Sequence, residues 1–72
     1  MPEYRPFPRL IASAPTLEAI VRLVNDYFFS TSYTAFATVP GYWSIASAIK
    51  GTRPNLQIVK RNHRFQFRSR EA

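Results

Sequence analysis

The sequence predicts an α+β domain in which one amphipathic helix packs on a small antiparallel sheet of three or four strands. Three observations carry this expectation. Leu17, Ile20, Val21, Val24, Tyr27 and Phe28 recur at the spacing of a single helix face. Residues 29–39 are rich in aromatic and β-branched side chains. Residues 56–60 and 64–70 alternate apolar with polar around Asn62-His63, the pattern of a hairpin.

A chain of 72 residues forms one domain, read here as an extended proline-rich arm over 1–14 and a globular part over 15–72. A domain this short buries only roughly 60% of its unfolded surface, so it needs a dense core, a cross-link or a partner. Cysteine is absent, and His63 with four carboxylates makes no metal ligand set, so neither a metal nor a cofactor is expected. An apolar content of 46% with 15% aromatics argues for a folded core rather than a disordered polybasic tail. No apolar run approaches the roughly 18 residues of a membrane helix. Glu3 and Pro6 interrupt the N-terminus and make it a poor signal peptide. A soluble, cytoplasmic protein without a membrane partner is the expectation.

Along the chain, Pro2, Pro6 and Pro8 keep the arm extended, with Tyr4 and Phe7 as its anchoring side chains. Residues 10–12 suit either a short edge strand or a segment lying on the core. The helix is placed at about 15–29, with Pro15 in its first turn and Thr16 or Ser13 as N-cap. Glu18 and Arg22 form an i,i+4 pair worth about 0.2–0.5 kcal/mol. Strands follow at about 33–39 and 42–48, joined by a type II turn at Pro40-Gly41. With residues 39 and 42 flanking that turn, Phe36 faces Ile45 and Thr38 faces Trp43. Residues 52–55 are a loop stopped by Pro54. Strands at about 55–60 and 64–70 complete the sheet, with Lys60 opposite Phe65, Ile58 opposite Phe67 and Leu56 opposite Ser69.

Residues 34–51 also admit a helical reading. Ser44 can cap a short helix with Ile45, Ala48 and Ile49 on one face, Lys50 in its last turn and Gly51 just beyond. With 34–39 also helical, the order of elements resembles that of phage Cro-type repressors and, more loosely, of winged helix-turn-helix domains. Thr34, Ala35, Ile45, Ala48 and Ile49 carry the resemblance, which implies DNA binding by a helix-turn-helix in front of the same C-terminal hairpin.

Charge points to partners. Residues 1–49 sum to zero, whereas Lys50, Arg53, Lys60, Arg61, Arg64, Arg68 and Arg70 stand against Glu71 alone, giving the whole net charge of +6. In the expected hairpin register one face carries Gln57, Val59, Arg61, Arg64, Gln66, Arg68 and Arg70. Arg61 and Arg64 face each other, an unfavourable pairing that an anion between them would relieve. Arginine outnumbers lysine eight to two, and its planar fork suits phosphate. Lys60, Arg61, Arg64, Gln66, Arg68 and Arg70, with Arg53 and Lys50, are therefore the candidate nucleic-acid-binding residues, with DNA favoured over RNA. A surface hairpin also needs outward charges simply for solubility.

The competing functional class is a small adaptor or inhibitor docking on an acidic protein surface, or a homodimer joined at sheet edges. Enzymatic activity is not expected. Four carboxylates, one histidine, no cysteine and no glycine-rich loop leave little for acid–base, nucleophilic or phosphate chemistry. The hydroxyls of Ser30, Thr31, Ser32 and Thr34 lack a base to activate them, and His63 reads as an exposed turn residue. Tyr33, Tyr42 and Trp43 suit base stacking if exposed, but a domain this small needs them in its core.

Overall fold

The computed structural model describes residues 5–71. The N-terminal part of the predicted arm, including Tyr4, lies outside the described residues. The element order is β1 (Arg9–Ala14), α1 (Leu17–Tyr27), β2 (Tyr33–Ala37), β3 (Tyr42–Ser47), β4 (Gly51–Arg61) and β5 (Arg64–Ser69). The strands form one antiparallel sheet in the order β1-β5-β4-β3-β2, so the α+β class holds with five strands instead of three or four. The fifth is β1, in the region predicted as arm or short edge strand. It pairs with β5 through a bulge between Leu10 and Ala12.

Helix α1 begins where Thr16 Oγ1 accepts the Ala19 amide at 3.1 Å, an N-cap bond. Ile20 and Val24 are fully buried, while Leu17, Val21 and Phe28 pack at the margin of the core. The helix ends earlier than 29, in a left-handed C-terminal turn. Phe29 donates to the Asp26 carbonyl and Ser30 to the Asn25 carbonyl, with Phe29 at φ 51°. That position usually holds glycine; here it holds a phenylalanine that is 97% exposed. Asn25 joins the helix to the sheet, donating to the Tyr33 carbonyl at 3.1 Å and accepting the Tyr33 amide at 2.8 Å.

The β4–β5 hairpin has the predicted register, with Lys60 opposite Phe65, Ile58 opposite Phe67, Leu56 opposite Ser69 and Arg61 opposite Arg64. Asn62 (φ 53°) and His63 (φ 62°) are both left-handed, as a two-residue type I′ turn requires. The β2–β3 register differs from the prediction by one residue. Ala35 faces Ile45, Ala37 faces Trp43, and Phe36 faces Ser44. Pro40 and Gly41 (φ 85°) do sit centrally in a turn closed by the Tyr42 amide on the Val39 carbonyl. A type II turn twists against its strands in a two-residue loop, so a third residue enters and Thr38 meets Tyr42 instead. A slip of one residue exchanges the faces of a strand. Phe36 thereby turns out at 53% exposure, while Tyr33 lies in the core at 2%, as a domain this small was expected to require.

Two further expectations are overturned. Residues 34–37 and 44–47 are strands, so the helix-turn-helix alternative with its Cro-like order does not apply. Ser47 Oγ accepts the amides of Ile49 and Lys50, closing a tight β3–β4 turn where the short helix was placed. Residues 52–55 are not a loop either. Strand β4 runs through Pro54, which sits where the β3–β4 register shifts, a bulge position that tolerates a residue without an amide donor.

The helix covers one face of the sheet. Ala14, Ile20, Val24, Tyr33, Ile45, Ile58 and Phe67 form the core there, with Trp43 against Phe65 at 5.3 Å between ring centroids. Gln57, Val59, Gln66 and Arg68 point to the other face, which no helix covers.

Candidate nucleic-acid interface

Alternation along β4 and β5 brings Arg61, Arg64, Gln66, Arg68 and Arg70 together on the helix-free face. The three carboxylates among the described residues lie elsewhere, Glu18 and Asp26 on α1 and Glu71 beyond β5. Among the described residues, the charges on this face are therefore all positive. Lys60 belongs to the opposite side of β4, its ammonium 5.7 Å from the centre of the Phe65 ring. Because β4 ends at Arg61, Lys60 still borders the hairpin tip.

Within the row the cations have different surroundings. Arg61 and Arg64 are exposed partners at the tip, and Arg64 Nε donates to Ser13 Oγ of β1 at 3.0 Å. That bond orients the guanidinium while leaving its two terminal nitrogens to a ligand. Arg68 is committed within the molecule. Its Nε donates to Gln66 Oε1 at 2.8 Å and its Nη1 to the Phe7 carbonyl at 3.0 Å. Arg70 stacks over the Phe7 ring at 5.3 Å.

These contacts reveal a feature that local pattern could not show. Residues 5–8 of the arm cross the open face, held by Arg68 on the Phe7 carbonyl and by the Phe7 amide donating to Gln57 Oε1. The sequence pointed to the Phe7 side chain as an anchor; its ring meets Arg70, but the hydrogen bonds come from its main chain, to residues 50 and 61 away in sequence. The arm bounds a cleft of about 560 Å³ whose lining includes Arg5, Phe7, Tyr42, Arg53 and Arg70. Cations and aromatic rings thus share one concave surface.

No protein-family model, curated protein or solved structure matches the chain.

The two remaining candidates stand apart from the tip. Arg53 Nε donates to the Tyr33 hydroxyl at 2.8 Å, and its guanidinium lies 4.7 Å from the centre of the Phe28 ring. Phe28 and Tyr33 are themselves stacked at 4.6 Å, so Arg53 closes the edge of the core while lining the cleft. Lys50 is exposed in the β3–β4 turn, with the 11 residues of β4 between it and the tip. At about 3.3 Å per residue it lies at the far end of the sheet. Ser30, Ser32 and Ser47 form a hydroxyl chain at 3.0 and 2.7 Å that ends on the β3–β4 turn. Among the described residues no group of three or more His, Cys, Asp or Glu is placed to hold a metal ion. No described helix is long and apolar enough to cross a membrane.

Proposed function

We propose that this chain is a small nucleic-acid-binding protein that grips the backbone of duplex DNA with the tip of its β4–β5 hairpin. The observation that carries this reading is the direct opposition of Arg61 and Arg64 on a face that holds no acid among the described residues. Like charges across a strand pair destabilise it, and a phosphate between them removes the penalty. Ser13 fixes the Arg64 fork, and Lys60 adds a third cation beside the tip. A two-stranded ribbon has the width to follow a DNA groove or lie along a backbone. The aromatic-lined cleft beside Phe7 and Tyr42 offers neighbouring surface for a sugar or a splayed base.

The test is fluorescence anisotropy with labelled duplex DNA, single-stranded DNA and RNA of equal length, repeated with an Arg61→Ser/Arg64→Ser variant. The proposal expects binding that is tightest for the duplex and weakened uniformly across DNA sequences in the variant. Equal binding by the variant, or none by the native chain at about 50 mM salt, refutes it.

A further inference from the structure

The two edges of the sheet are built differently. Strand β1 carries Arg9, contains a bulge and lies between Pro8 and Pro15, all features that discourage pairing with another strand. Strand β2, Tyr-Thr-Ala-Phe-Ala, has no charge, proline or bulge. No charged residue occurs anywhere between Asp26 and Lys50.

The hydrogen-bonding direction of β2 follows from its neighbours. Asn25 binds both the amide and the carbonyl of Tyr33, so those groups point away from β3. Thr38, by contrast, donates its amide inward to Tyr42. Alternation then directs the amides and carbonyls of Ala35 and Ala37 outward, where no partner meets them among the described residues. Phe36 sits between them, 53% exposed on the helix-free face.

We propose that β2 pairs antiparallel with β2 of a second copy of this chain, about a two-fold axis at Phe36. In this register Ala35 meets Ala37 of the second copy and Ala37 meets its Ala35, so four main-chain hydrogen bonds form from groups that have no partner among the described residues. Phe36 lies directly opposite Phe36 of the second copy, in the closely spaced, non-hydrogen-bonded pair that favours aromatic contact. The ladder stops at each end where Asn25 already occupies Tyr33. A second copy suits this edge because a charged strand paired with itself would set like charges side by side; β2 is neutral in a chain of net charge +6. A mostly apolar groove of about 390 Å³, lined by Leu17, Glu18, Val21, Thr34 and Ala35, runs beside the edge and gives the partner further surface to cover. The product is one ten-stranded sheet with both cationic faces on the same side. The inference stands independently of nucleic-acid binding, because it uses none of the cations.

Sedimentation equilibrium and cysteine cross-linking on the full chain test it. The native chain is expected to reach twice the monomer mass as concentration rises. Phe36→Lys and Ala37→Pro each return it to monomer with an unchanged circular dichroism spectrum, since the Ala37 amide serves no bond among the described residues of the monomer. The chain has no native cysteine, so Phe36→Cys is expected to form a covalent dimer on mild oxidation. Thr34→Cys, displaced from its own copy by roughly 13 Å along the ladder, is not. Three results overturn the proposal: a monomer even at millimolar concentration, a dimer that survives both substitutions, or Thr34→Cys cross-linking as fast as Phe36→Cys.

Discussion

Asn25 is the polar joint between the helix and the edge of the sheet, and replacing it with alanine measures what that joint contributes. Its side chain makes two bonds to the Tyr33 main chain, at 2.8 and 3.1 Å, and a third to the Val21 carbonyl at 3.1 Å. The Val21 bond lies within the helix, so the inter-element contribution rests on the two to Tyr33. At about 1 kcal/mol net for each, their loss costs about 2 kcal/mol. Alanine recovers roughly 0.5 kcal/mol through its better helix propensity, leaving a destabilisation of about 1.5 kcal/mol. For a domain of this length 1 kcal/mol moves Tm by about 4–8 °C, so Tm is expected to fall by about 6–12 °C. Thermal unfolding followed by circular dichroism and calorimetry reads this directly. Asn25→Asp keeps an acceptor for the Tyr33 amide but loses the donor and adds negative charge in the last turn of α1. It should be at least as destabilising. A fall of under about 2 °C in the alanine variant, or an aspartate variant as stable as the native chain, would show that water satisfies Tyr33 equally well.

Phe29→Gly is expected to stabilise the protein. Relief of a left-handed residue is worth about 1–2 kcal/mol and glycine's extra backbone entropy costs about 0.5–1, for a net gain of about 0.5–1 kcal/mol, read as a raised urea midpoint at unchanged slope. Phe67→Ala empties the fully buried centre of the core and should cost roughly 3–5 kcal/mol, enough to abolish the dispersed amide NMR spectrum of so small a domain. Arg68→Met removes the donor to the Phe7 carbonyl and should speed exchange of the Phe7 amide about tenfold, while leaving exchange in β3 unchanged.

The parts of the fold legible in the sequence were those governed by local pattern. The stripe from Leu17 to Phe28 with its Thr16 cap marked α1, and alternation around Asn62-His63 specified the β4–β5 register residue for residue. The departures came from geometry that pattern does not encode. Pro40-Gly41 identifies a turn but not the number of loop residues around it, and that single residue decided which face of the sheet Phe36 takes. Pro54 looked like a terminator because nothing local signals the bulge that accommodates it. Of the site, the shared face of Arg61, Arg64, Arg68 and Arg70 followed from the register. Commitment of Arg68 to Phe7 did not, because it depends on where the arm lies once the sheet is complete.

Salt dependence of duplex DNA binding tests the proposed role of the hairpin tip most directly. If Lys60, Arg61 and Arg64 each neutralise one phosphate, log K should fall against log salt with a slope of about −2.7, or roughly 40-fold in affinity between about 50 and 200 mM. The Arg61→Ser/Arg64→Ser variant should flatten that slope by about 1.8. A slope near zero, or one that the double substitution leaves unchanged, would contradict the account.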